Sequence, residues 1–211
     1  MAFRSVTVCC LCAFWGVLKS QSTIFQTAWH QKPIALHTAY GWNDDSLIVT
    51  KLQFYLQNHT PVDSVKNFSN TIYLIVMDAM GRSHINDGLK GLTFNLGIDS
   101  LAHYRGTESG PLDPIHGMYW TWQSGYIHFK LEGSVKQKHQ SSWQEFEYHL
   151  GGYRKPYTAL QTWNCKSLNN YFDVSIFLEP LLRNNRFKIM SPGFEAHAAS
   201  QNLPDAIQGL P

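Results

Sequence analysis

Two imidazoles, a thioether and five large aromatic rings crowd into one short stretch, Asp113 to Gly133, which reads DPIHGMYWTWQSGYIHFKLEG. Tyr119, Trp120, Trp122 and Tyr126 fall within eight residues, with His116, Met118 and His128 beside them. Large apolar rings gain free energy only by leaving water, so this stretch is either a packed plug or the wall of a site. Histidines set among soft and aromatic groups suit copper better than magnesium or calcium, which want oxygen ligands.

The second half of the stretch supplies a rigid support. Gly125, Ile127, Phe129 and Leu131 alternate with Tyr126, His128, Lys130 and Glu132, the period of a half-buried strand. The first half does not alternate, and Asp113-Pro114 sets a turn there. Trp143 to Leu150 alternates as well, with Phe146, Tyr148 and Leu150 against Glu145, Glu147 and His149. If the two strands pair across the polar loop Ser134 to Ser142, one register sets Phe129 opposite Tyr148 and Ile127 opposite Leu150. The same register sets His128 opposite His149 on the other face. Directly opposed side chains lie about 4.5–5.5 Å apart at Cβ, close enough for two imidazoles to share one ion. The plain alternative is that each histidine is a polar residue on an open sheet face.

The rest of the chain reads as short strands joined by polar turns. Ser22 to Leu36 predicts a strand, a turn at Lys32-Pro33 and a second short strand. Tyr40 to Ser46 reads as a loop, and Leu47 to Leu56 as a strand. His59 to Asn70 is polar and reads as a long surface loop. Thr71 to Met77, nearly all apolar and β-branched, predicts a central strand covered on both faces. Asp78 to Lys90 reads as turns, Leu92 to Ile98 as a strand, and Asp99 to Pro111 as a loop. Leu160 to Asn164 and Tyr171 to Leu178 are further strands. Pro180 to Arg186 is a short helix or turn, and a C-terminal helix starts at Pro192 and is interrupted by Pro204. This pattern predicts an all-β fold, an antiparallel β-sandwich with short helical segments, one of them near the C-terminus.

Composition narrows the function. The 211 residues suit a domain with a real core, the charged share is only 15%, and the net charge is +2 with no basic run. That balance argues against nucleic acid as a partner. Residues 1–20 read as a signal peptide: Arg4 is the positive start and Val6 to Leu18 the apolar core, too short to span a membrane. Residues 21–211 then form the single mature domain, exported to the periplasm, the outer surface or the medium, with no stable membrane span. Cys9, Cys10 and Cys12 leave with the signal. Cys165 remains alone, unable to close a disulfide within its own chain. Asn58 and Asn67 open glycosylation sequons that matter only in a eukaryotic secretory route.

The block GMYWTWQSGYIHFKLEG, followed by FEYHLGGYRKPY and preceded by FNLGIDSLAHYRGTESGPLDP, resembles the MbnP-like family. Its members are secreted copper-binding proteins found beside a di-haem peroxidase-like protein and related to the copper-acquisition proteins of methane oxidisers. The resemblance implies a β-sandwich outside the cytoplasm that binds one copper ion and is not an enzyme. It also implies ligands drawn from histidines and from a tryptophan oxidised to kynurenine by the di-haem partner. The kynurenine aryl amine has a lone pair for a metal, whereas an intact indole nitrogen only donates. Carried onto this chain, the W-x-W pair is Trp120 and Trp122, and the histidine of the HLGG motif is His149. The family's first-strand histidine has His30 and His37 as candidates. His128 or His30 would be the second imidazole. Gly117, Gly125, Gly151 and Gly152 read as backbone requirements, and Asp99 and Asp113 as partners of turn backbone.

Two other readings compete. In the first, Tyr119, Trp120, Trp122 and Tyr126 form an exposed platform on a β-sandwich that binds carbohydrate or protein; exposure of the rings without converging histidines would favour it. In the second, Glu145 and Glu147 act as a hydrolase pair, although they share a strand face with nothing to activate them.

Overall fold

A computed structural model describes residues 22–42, 44–58, 71–86, 89, 93–138, 140–164, 171–182 and 187–209. The signal segment, the loop from His59 to Asn70 and Cys165 lie outside them. The chain opens with β1 (Ser22–Trp29), β2 (Lys32–Pro33), β3 (Tyr40–Trp42) and the long β4 (Asp45–Asn58). There follow β5 (Ile72–Val76), β6 (Arg82–Ile85), β7 (Thr93–Leu96) and helix α1 (Ser100–Arg105). Two 3-10 turns, Gly110–Leu112 and Pro114–His116, lead into β8 (Tyr119–Thr121), β9 (Gly125–Lys136) and β10 (Gln144–Gly151). The chain closes with β11 (Gln161–Asn164), β12 (Tyr171–Phe177), α2 (Glu179–Leu182), β13 (Lys188–Ile189), α3 (Phe194–Ser200), α4 (Leu203–Ala206) and β14 (Ile207–Gly209).

Among the described residues these strands make two sheets. The smaller runs β14-β12-β1-β2 with β6 beside β1, and the larger runs β11-β7-β4-β9-β10-β13 with β3, β5 and β8 paired at its margins. The fold is mostly β, as the alternation predicts. The sheets are mixed, because β1 pairs parallel with β12 and β10 parallel with β13. Phe25 and Ile176 from the smaller sheet pack with Leu52, Phe54, Leu56, Phe129, Leu131 and Tyr148 from the larger one. This inter-sheet core takes Leu52, Phe54 and Leu56 of β4 and Phe129 and Leu131 of β9, and Leu47 and Val49 join it from before the β-bulge at Val49–Lys51. The opposite positions point outward, to Tyr55 on β4 and to Tyr126, His128 and Lys130 on β9.

Those outward residues do not meet water. The segment 97–121 folds back as a second layer, and Tyr55, Ile98, Ala102, Leu112, Met118, Tyr126 and Ile127 form a smaller apolar cluster beneath it. Tyr55 Oη donates to the Pro111 carbonyl at 2.9 Å, and Tyr126 Oη lies 2.8 Å from the Leu112 carbonyl. The Lys130 ammonium donates to the Gly117 carbonyl. Each tie satisfies a polar group that the overlying layer buries.

Several local expectations are corrected. Thr71 to Met77 does not run through a sheet centre: among the described residues β5 pairs with β4 alone, stays half-buried and touches the Gly110–Leu112 turn. Tyr40 to Ser46 is not a loop but pairs β3 onto β4. Part of Asp78 to Lys90 is β6, and part of Asp99 to Pro111 is α1. The C-terminal helix is interrupted as expected: α3 ends at Ser200 and Pro204 sits at the start of α4, where its missing N–H costs nothing.

The β9–β10 register also differs from the one expected. Leu150 faces Phe129, Tyr148 faces Leu131, and His149 faces Lys130. A slip of two residues leaves every side chain on the same sheet face and still sets apolar opposite apolar, so the hydrophobic pattern cannot distinguish the two pairings. The consequence for the site is direct: His128 and His149 share a face but do not stand opposite each other.

Candidate metal centre

The partner that His128 meets is His103. Their Nε2 atoms stand 3.0 Å apart. His128 is fully buried and His103 is 9% exposed. His128 rises from β9, and His103 comes down from α1 in the overlying layer.

The sequence places each ring. Asp99 caps α1, its Oδ1 accepting from Ala102 N–H at 2.9 Å. Gln57, buried on β4, holds that cap from below: its Nε2 donates to Asp99 Oδ2 at 2.8 Å, and its Oε1 accepts from Asp99 N–H at 2.8 Å. The helix that carries His103 is thereby tied to the strand beside β9. Two glycines clear the space. A Cβ on Gly125 would come 2.3 Å from His103 Nδ1, and one on Gly97 would come 2.5 Å from His128 Cγ. Both glycines also have φ in the left-handed region, at +75° and +112°. Tyr153 closes the outer side, its ring stacked on His103 at 4.4 Å and 17°.

Burial holds both imidazoles well below the ordinary histidine range. For His128 the neighbouring His103 adds to the effect of burial, and the Ala159 backbone opposes it. For His103 burial again dominates, against the opposing pull of Asp99 and of the Ile98 backbone. Both rings are therefore neutral near pH 7, the form that ligates metal. His128 Nδ1 makes no hydrogen bond. His103 Nδ1 accepts from Tyr126 N–H at 3.3 Å, while the Ile98 backbone favours a protonated ring. With Nδ1 bare, the proton of His103 sits on Nε2 and is donated to His128. With Nδ1 protonated, two Nε2 lone pairs face each other.

That second arrangement fits a cation. A transition metal sits about 2.0–2.1 Å from an imidazole nitrogen, so two nitrogens in neighbouring positions of its shell are roughly 3 Å apart. The observed pair has this spacing. No group of three or more His, Cys, Asp and Glu able to hold a metal occurs among the described residues. Among the described residues a further ligand to this pair would be of another kind.

The residues expected at the site are distributed as follows. His149 is buried, but its Nε2 donates to Glu132 Oε1 at 2.8 Å, and burial is the main reason its protonated form is disfavoured. Lys51 also reaches Glu132, at 3.8 Å, so His149 belongs to a charged network further along β9. His30 lies in the turn after β1, on the other sheet, with Nδ1 3.5 Å from Glu179 Oε1. His37 sits in the turn between β2 and β3, and the exposed His116 donates from Nε2 to the Gly110 carbonyl at 3.0 Å. Trp120 is half-buried against the smaller apolar cluster, its six-membered ring over Gly151, where a Cβ would come 2.8 Å from it. Trp122 is 76% exposed. The exposed aromatic platform is therefore not formed: Tyr126 is buried, and Tyr119 and Trp120 are half-buried. Glu147 pairs with Lys188 at 3.6 Å, as a solvated surface carboxylate does.

His103 is the residue that sequence reasoning missed. It sits in SLAHYR, on a helix of six residues, too short to show periodicity. Its signal was the cap: Asp99 three residues before Ala102 marks a helix start.

Among the described residues no helix is long and apolar enough to cross a membrane. A family model, MbnP, matches residues 21–189. No curated protein and no solved structure matches the chain.

Proposed function

The chain belongs to the MbnP family, and on that premise we propose that it is an extracytoplasmic copper-binding protein rather than an enzyme. The observation that carries the reading is the pair of buried, neutral imidazoles whose Nε2 atoms lie 3.0 Å apart. Two histidine nitrogens in an apolar setting suit copper, and their burial excludes the water shell that hard cations keep. Bound there, one copper ion supplies a redox-active, soft Lewis-acid centre.

His103 and His128 are two of the ligands in this reading. Gln57 and Asp99 position the first, and the β9 backbone positions the second. The third is the aryl amine of kynurenine formed from Trp120 by a di-haem peroxidase-like partner. Trp120 is favoured over Trp122 because it packs with Met118 and Tyr126 in the layer that holds the pair, whereas Trp122 projects into solvent. His149 and His30 are bound to Glu132 and Glu179 and are left out of the ligand set. Export through the N-terminal signal to the periplasm or medium places the protein where such a partner and free copper are found.

The test is to produce the exported chain with and without the di-haem oxidase, then measure copper stoichiometry and the mass of the peptide carrying Trp120 and Trp122. One tightly held copper, with a kynurenine mass at Trp120, is expected from co-production. No tight copper and unshifted tryptophans would leave a scaffold without a metal.

A further inference from the structure

Beside Tyr153, whose ring stacks on His103, lies an open cleft of about 190 Å³. Tyr153 and Tyr157 give it aromatic walls, Gln123 and Ser124 give polar groups, and Arg154 and Lys155 stand at its mouth. No lining residue is acidic. Among the described residues neither Arg154 nor Lys155 is paired with a carboxylate. Arg154 is nonetheless held in place. Its Nε donates to Tyr153 Oη at 3.3 Å, and its guanidinium carbon lies 5.3 Å from the ring centre. That contact uses one edge of the guanidinium and leaves the forked Nη groups for an oxyanion.

We propose that this cleft binds a small monocarboxylate with a flat apolar body. The carboxylate lies between Arg154 and Lys155, and the body rests against Tyr153 and Tyr157. The volume is below the roughly 300 Å³ at which drug-sized ligands begin, so the occupant has about the bulk of one ring. An unpaired cation pair over aromatic walls discriminates for charge at one end and flatness at the other. The occupant also touches the Tyr153 ring that stacks on His103, so binding is felt at the histidine pair. The proposal does not depend on copper.

Benzoate is the probe, and benzyl alcohol is its neutral counterpart. Titration of the metal-free folded chain, followed by backbone amide and His103 ring resonances, should show saturable benzoate shifts centred on Tyr153 and Arg154. A dissociation constant of about 1 mM or lower is expected, with benzyl alcohol at least about tenfold weaker. Arg154→Gln with Lys155→Gln should weaken benzoate at least about tenfold at unchanged Tm. Benzyl alcohol binding as well as benzoate, a double variant of unchanged affinity, or no saturable shift would each overturn the proposal.

Discussion

His103 Nε2 and His128 Nε2 stand 3.0 Å apart although one residue belongs to a short helix and the other to a central strand. The contact joins two layers of the protein, and it defines which histidines matter. In the proposed site His103→Gln or His128→Gln should weaken copper binding by at least about 100-fold, since each would remove one of its two imidazole ligands. His149→Gln should leave it within about threefold while costing roughly 1 kcal/mol of stability through the lost Glu132 bond. Competition against a chromophoric copper chelator reads the affinities, and thermal melts read the stability. A larger loss from His149 than from His103 would displace the centre.

The Tyr126 N–H that donates to His103 Nδ1 gives a spectroscopic prediction. Without metal it keeps Nδ1 bare and the ring proton sits on Nε2. Metal at Nε2 would force the proton to Nδ1 and break that bond. Ring nitrogen shifts in labelled protein should report this tautomer exchange on addition of a diamagnetic ion such as copper(I), and His149 should show no comparable change.

Stability should depend on pH through the same pair. Both folded-state values lie below the roughly 6.5 of an unfolded histidine. Between the two the unfolded chain binds more protons, so stability rises with pH across that window and is lost as pH falls below about 6.5. The metal-free protein should lose several degrees of Tm between about pH 7 and pH 5. His103→Gln with His128→Gln should flatten that slope. An unchanged slope would mean that other groups carry it.

Gln57 is buried and fixes where His103 falls by holding Asp99. Gln57→Leu should strip the Asp99 cap of its two supporting bonds and cost about 1–3 kcal/mol. Copper affinity should fall as well, while the inter-sheet core keeps its strand signature in circular dichroism. Retained affinity with lowered Tm would reduce Gln57 to a purely structural role.

Gly125→Ala and Gly97→Ala test the space around the rings. Each new Cβ would collide with an imidazole and also face a φ that alanine resists. Either should destabilise by about 1–3 kcal/mol, with a larger loss of metal affinity than Gly106→Ala, whose Cβ would meet nothing within 4 Å. Parallel effects in all three would point to backbone strain alone.

Much of this was readable in the residues, for identifiable reasons. The alternation along β4, β9 and β10 set the class of fold and the faces of the strands. The motif block set the family, and Asp99, Asp113 and Gly125 declared themselves as backbone partners. The pairing register was not readable, because β9 and β10 alternate so regularly that a two-residue slip costs no apolar contact. His103 was not readable as a ligand, because six residues are too few for a helical period and because its proximity to β9 depends on the fold-back of residues 97–121. His149 drew attention through its motif, but only the geometry shows it bound to Glu132.

The segment that covers the outward face is fastened by Gln57 to Asp99, Tyr55 to Pro111, Tyr126 to Leu112 and Lys130 to Gly117. These fastenings all end on the sheet's outer side, so that roof can loosen as one unit while the sandwich below stays shut. Exchange of an ion and global unfolding then have separate barriers. An ion lodged between helix and strand would act as a rivet, slowing the first process far more than the second.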